Sequence, residues 1–153
     1  ANWRKPMQKI GIGKGRKVSG GEEVAILSIG HPGNFVAEAI GKLAPEGITP
    51  AHYDMRFVKP LDEALLHEVF SSFKKIITVE DGCIMGGMGS AVLEFMAGQG
   101  YQARVVRLGI PDRVVEHGEQ EELYAECQYD ADAIARVARD LFIQSPSSNL
   151  IVS

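Results

Sequence analysis

The sequence predicts an α/β fold in which helices cover both faces of a mostly parallel β-sheet. Residues 23–30, EVAILSIG, form a continuous apolar run of strand length, typical of a strand buried on both faces. Segments with the apolar period of a helix follow this strand and the later ones. The 153 residues, 45% of them hydrophobic, suit one domain with a sizeable core.

Strands and helices alternate along the chain. Three further strands are predicted at residues 48–57, 75–81 and 102–110. The predicted helices cover residues 35–43, a segment opened by Pro60, residues 91–97 and a long stretch from about Asp130. Residues 1–22 are interpreted as a basic, glycine-rich linker that holds a short edge strand near residues 15–18. We expect the domain to cover residues 23–144 and a flexible tail to cover residues 145–153.

Composition and charge exclude several classes of protein. The net charge of −4 offers no broad basic surface to a nucleic acid, and no apolar run reaches the ~20 residues that span a bilayer. Cys83 and Cys127 are far apart, and the four histidines lack metal-ligand spacing, which favours a reducing cytoplasm. The chain shows no signal-peptide pattern, and because it starts at Ala1 without an initiator Met, we expect a piece of a longer protein.

Residues 76–96, IITVEDGCIMGGMGSAVLEFM, run from a strand through a glycine-rich loop into a helix. Such a loop can bind an anion through backbone N–H groups and the helix dipole. A Walker loop would need a lysine where Met88 stands, and Val92 takes the third position of a dinucleotide fingerprint. We therefore interpret Gly86, Gly87 and Gly89 as structural, supplying positive φ and a close start of the helix.

Polar side chains follow the predicted strands at the edge where ligands bind in open α/β sheets. Among them, Arg56, Glu80 and Asp81 are expected to end neighbouring strands and to lie close together. One interpretation makes the two carboxylates an acid/base pair, and the favoured one makes these residues ion pairs or a docking surface. His31 is interpreted as a turn residue and His117 as a surface or packed histidine.

Three segments carry a resemblance: DMRFVKPLDEALL, TVEDGCIMGGMGSAVLE and LGIPDRVVEHGEQEEL. Together they resemble the C-terminal domain of the 1-deoxy-D-xylulose-5-phosphate synthases, a family of transketolase-like thiamine diphosphate enzymes. The resemblance implies a three-layer αβα unit whose five-stranded, mostly parallel sheet has one antiparallel edge strand. It also implies that the parent enzyme condenses pyruvate with glyceraldehyde 3-phosphate, releasing CO2, for isoprenoid precursor synthesis.

The same resemblance implies where the chemistry resides. Thiamine diphosphate and Mg²⁺ belong to the N-terminal domain and the activating glutamate to the middle domain, so no catalytic, cofactor-binding or metal-binding residue is assigned to this chain. Its expected partners are those two domains, in a cytoplasmic enzyme that is a homodimer when full length. Two alternatives stay open. The chain could be a free-standing module that binds a small anion or nucleotide beside residues 86–90, or the interaction domain of a 2-oxo-acid dehydrogenase β subunit, which MRFVKPLD disfavours.

Overall fold

A computed structural model describes residues 9–143. The strands are β1 (Arg16–Ser19), β2 (Val24–Ile29), β3 (Ala51–Asp54), β4 (Lys75–Cys83) and β5 (Arg104–Ile110). The helices are α1 (Gly33–Leu43), α2 (Glu63–Ser72), α3 (Met88–Gly98), α4 (Gln120–Glu126) and α5 (Ala131–Ile143), with a 3-10 turn at Ala44–Glu46. The expected tail and the first eight residues of the expected linker lie outside the described residues.

The five strands form one sheet in the order β1-β3-β2-β4-β5. Strand β1 runs antiparallel to β3, and the other neighbouring strands are parallel. The expected five-stranded, mostly parallel sheet with one antiparallel edge strand is therefore confirmed. Parallel neighbours need long crossover connections, and α1, α2 and α3 supply them.

Helices cover the sheet on both faces and divide the core into two layers. On one face, Ile26 and Ile77 pack against α1, α4 and α5, and on the other face Leu27 and Ile76 pack against α2 and α3. The central strand β2 is buried from Val24 to Ser28, as its continuous apolar run predicts. In the part of the chain that the structure describes, no helix is both long and apolar enough to span a membrane.

Several predicted boundaries differ from the structure by two or three residues, and two of the differences have a clear local reason. Strand β3 ends at Asp54 instead of continuing to residue 57, because Arg56 adopts φ 58°, outside the extended region. Helix α2 begins at Glu63, not at Pro60, because Asp62 caps it: the carboxylate accepts the Leu65 N–H at 3.2 Å.

The Asp62 carboxylate also joins the edge strand to this helix. Its second oxygen accepts the Gly15 N–H at 3.0 Å, and the Lys14 ammonium lies 3.4 Å from the first. Burial alone would raise the pKa of the Asp62 carboxyl, but the two backbone donors and Lys14 outweigh burial and lower it. The segment that leads into β1 is thus anchored on α2.

Candidate functional site

The loop between β4 and α3 folds around the side chain of Glu80, which is 5% exposed. Its Oε2 accepts the Met88 N–H at 2.7 Å, and its Oε1 accepts the Gly89 N–H at 2.9 Å. These donors belong to the first turn of α3, where the helix dipole favours negative charge. A carboxylate of the chain itself therefore occupies the place where a glycine-rich loop would hold a phosphate.

Ser90 and Arg107 brace the same loop from the helix and from β5. The Ser90 hydroxyl donates to the Ile84 carbonyl at 3.1 Å and accepts the Gly86 N–H at 3.0 Å. The Arg107 Nη1 donates to the same carbonyl at 2.6 Å and to the Ser90 hydroxyl at 3.0 Å. Sequence analysis did not assign these roles, although an arginine in the middle of an otherwise apolar stretch of β5 was a signal that it has a specific partner.

The loop glycines serve two different purposes. Gly86 has φ 79°, as expected for a residue that supplies positive φ. The expectation is wrong for Gly87, whose φ is −85°, and Gly89 lies inside α3. A Cβ at Gly87 would overlap the Glu80 carboxylate and would lie 2.5 Å from the Cys83 carbonyl oxygen. Gly87 is therefore required for close approach and not for its φ.

Gly89 is likewise required for close approach, at the contact between α3 and the sheet. A Cβ there would lie 2.6 Å from the Thr78 Oγ1 and 3.0 Å from the Arg107 side chain. The missing side chain lets the first turn of α3 pack directly on β4 and β5. The expectation of a helix that starts close to the sheet is confirmed at this position.

Glu80 and Asp81 do not form a carboxylate pair. Successive side chains of a strand point to opposite faces, so Glu80 turns toward α3 while Asp81 turns toward the α4 and α5 layer. There the Asp81 Oδ1 accepts the Tyr129 hydroxyl at 2.8 Å. Burial, with help from this carboxylate, raises the pKa of Tyr129 well above its usual value. The acid/base interpretation of the two carboxylates is thus wrong.

Arg56 and His31 are also separate from Glu80. Arg56 follows β3, and β2 lies between β3 and β4, so the expectation of neighbouring strands is wrong. His31 is exposed in the turn before α1, with its ring centroid 4.8 Å from that of Phe35. The four predicted polar residues therefore lie along one edge of the sheet but do not converge on one point.

A buried polar pair that the sequence did not reveal joins β2 to β3. The Ser28 Oγ lies 2.8 Å from the His52 Nε2, beside a cavity of about 210 Å³ at the start of α1. His52 is only 3% exposed. Burial lowers the pKa of His52; the Asp54 carboxylate opposes this shift and Arg16 adds to it.

Another cavity, of about 400 Å³, lies between α4 and the ends of β4 and β5. Asp81, His117 and Tyr129 line it together with apolar side chains of Ile110 and Leu123. His117 itself is exposed. His117 is therefore a surface residue, which is one of the two positions expected for it.

Known proteins of one family resemble this chain in sequence and share its fold. The family model described as "Transketolase, C-terminal domain" matches residues 13–134. The chain therefore belongs to the transketolase C-terminal domain family. Its relatives include proteins named 1-deoxy-D-xylulose-5-phosphate synthase: one from Cytophaga hutchinsonii is 66% identical over 140 residues, and one from Parabacteroides distasonis is 53% identical over 135.

The matched region is a small part of these relatives. It covers 92% and 88% of this chain but only 22% and 21% of the two synthases. A solved structure described as "Split gene transketolase, inactive beta4 tetramer" superposes with a TM-score of 0.81 at 27% identity, covering 89% of this chain and 44% of that one. A transketolase from Campylobacter jejuni, at 14% identity, a TM-score of 0.61 and coverage of 84% and 18%, shares the fold.

We expect Gly87→Ala to lower the free energy of unfolding by about 2–3 kcal/mol, because the new Cβ would displace Glu80 from the helix. The matched control is Gly41→Ala in α1, where a Cβ would meet no atom within 4 Å. That control should gain up to about 1 kcal/mol through helix propensity. Urea denaturation of both variants checks the difference, and equal stabilities would contradict the packing account.

The lowered pKa of His52 predicts a stability that depends on pH. Because burial lowers the pKa of this imidazole in the folded state, the unfolded state binds more protons below about pH 6.5, the ordinary histidine value. The His52 contribution is thus complete above that pH and is lost as the pH falls. We expect the Tm to fall more between pH 7.5 and 5 in the wild type than in His52→Gln, whereas the exposed-site control His117→Gln should keep the wild-type slope. Parallel slopes in all three proteins would refute this assignment.

Proposed function

We propose that this chain is the C-terminal, non-catalytic domain of a 1-deoxy-D-xylulose-5-phosphate synthase, a transketolase-like transferase. The observation that carries the proposal is the 66% identity over 140 residues to about a fifth of a protein with that name. The whole enzyme would condense pyruvate with glyceraldehyde 3-phosphate to give 1-deoxy-D-xylulose 5-phosphate and CO2, for isoprenoid precursor synthesis. This domain would support the architecture of that enzyme.

The residues of this chain do not fit the thiamine diphosphate and Mg²⁺ that the family implies. The Met88 and Gly89 N–H groups, two of the backbone donors that could receive a phosphate at the start of α3, already bind Glu80. Among residues 9–143, no three His, Cys, Asp or Glu side chains come together as metal ligands would. The proposal accordingly leaves cofactor binding to the rest of the enzyme and assigns no catalytic step to this chain.

The proposal includes the assembly and location of the full-length enzyme. The N-terminal and middle domains of the same polypeptide would be the direct partners, in a cytoplasmic homodimer. The two cysteines, both free in the structure, are compatible with a reducing compartment. Residues 1–22 as linker and edge strand, 23–144 as the domain and 145–153 as the tail remain the proposed division.

The two alternative functions have less support. A free-standing anion-binding module would need open donors in the loop, and the Glu80 carboxylate takes those of Met88 and Gly89. A 2-oxo-acid dehydrogenase subunit would not be expected to share half or more of its residues with proteins named as synthases.

The proposal predicts that the isolated chain binds neither thiamine diphosphate nor Mg²⁺ and makes no 1-deoxy-D-xylulose 5-phosphate. Isothermal titration calorimetry with cofactor and metal measures the binding, and a coupled assay with both substrates measures the turnover. The positive control is the full-length protein from the same gene, which should bind the cofactor and turn over. Micromolar cofactor binding by the isolated chain would overturn the assignment, and so would a full-length protein without synthase activity.

A further inference from the structure

A basic patch lies where β3 ends, apart from the loop around Glu80. Its residues line one open cavity of about 410 Å³. They are Ile10, Arg16, Gly30, Asp54, Arg56 and Phe57. The patch combines two guanidinium groups, one carboxylate and apolar side chains.

The backbone at Arg56 is held in an uncommon conformation. Its φ of 58° lies in the left-handed region, which residues other than glycine, asparagine and aspartate seldom adopt. The Asp54 Oδ1 accepts the Arg56 N–H at 3.2 Å and fixes this turn. Backbone strain of this kind persists where the surrounding structure enforces it. In this conformation the Arg56 side chain lines the cavity.

The Arg56 guanidinium is poorly paired for its degree of burial. Its side chain is 24% exposed, and its ion pair is a 3.7 Å contact from Nε to the Asp54 Oδ2. No hydrogen bond of this guanidinium is formed with any other described residue. A guanidinium carries five N–H donors, so a partly buried one whose single acceptor lies 3.7 Å away favours a further acceptor from outside.

The charges of the patch indicate that the outside acceptor of Arg56 is a carboxylate. Arg16 donates from Nε to the same Asp54 Oδ2 at 3.1 Å, so two cations share one carboxylate. A second carboxylate would neutralise the excess positive charge and could bind a guanidinium in the bidentate manner. Beside the charges, Ile10 lines the cavity and is 51% exposed. Arginine beside exposed apolar side chains is typical of the centre of a protein interface.

We propose that the basic patch docks a protein surface in which an aspartate or glutamate carboxylate, set among apolar side chains, binds Arg56. The occupant is the part of the enzyme outside residues 1–153. This inference rests on the proposed function, under which about four-fifths of the polypeptide lies elsewhere. Ile10 lines the same cavity as Arg56, so the polypeptide that leads into β1 passes directly beside the patch.

Zero-length cross-linking of the full-length enzyme tests the contact. Arg56→Lys places an amine in the patch. A carbodiimide then couples that amine to a carboxylate in contact with it, forming an amide, and the carbodiimide takes up the water released by this condensation. Arg136→Lys, on the exposed face of α5, is the matched control. We expect mass spectrometry to find position 56 joined to an aspartate or glutamate outside residues 1–153, at least about tenfold above the control, as for groups held in contact.

Cross-links from position 56 only to Asp54 or to another carboxylate within residues 1–153, of the same copy or a second one, would overturn the inference. Hydrogen exchange on the wild type needs no variant: amides 54–57 should exchange at least about tenfold more slowly in the full-length enzyme than in the isolated chain. Equal exchange would likewise overturn it. Synthase activity is assayed on the same wild-type preparation. An active enzyme without the contact defeats this inference alone, and an inactive one defeats the proposed function.

Discussion

The buried carboxylate of Glu80 at the start of α3 is the interaction on which the rest of this edge depends. Two charge-assisted hydrogen bonds and the helix dipole compensate for removing the carboxylate from water. The Glu80 carboxylate stands where a side chain of residue 87 would lie, and a side chain at residue 89 would overlap Thr78 and Arg107, which explains the two glycines. Ser90 of α3 and Arg107 of β5 also bind the loop, so the loop is attached to β4, to β5 and to its own helix.

The same interaction changes what this edge of the sheet can do. In many α/β proteins the first turn of a helix at this position receives a phosphate, but here the chain supplies its own anion. The Met88 and Gly89 N–H groups are therefore already bound by Glu80. On the other side of β2, the under-paired Arg56 and its apolar neighbours offer what a docking surface needs. Both features suit a domain that supports an enzyme whose cofactor is bound elsewhere.

Much of the fold could be predicted from the sequence because the buried positions of helices and strands carry apolar residues at regular spacing. The apolar run of β2 predicts a buried strand, and the apolar stripes of α1, α2 and α5 predict helices with one side in the core. Strands that alternate with helices imply the parallel sheet. The site was less accessible because its contacts join residues far apart in sequence. That Glu80 and Asp81 point apart follows from strand alternation alone. In contrast, the position of β2 between β3 and β4, the pairing of Ser28 with His52 and the role of Gly87 require the strand order and packing.

Amide exchange at Met88 and Gly89, measured by NMR in the wild type and in Glu80→Gln, tests the central claim most directly. A glutamine offers one acceptor oxygen where the carboxylate offers two, so it can satisfy only one of the two amides. We predict that at least one amide exchanges about tenfold faster or more, with a loss of about 1–3 kcal/mol of stability, while the exposed control Glu94→Gln changes neither. Unchanged protection of both amides at unchanged stability in Glu80→Gln would contradict the account.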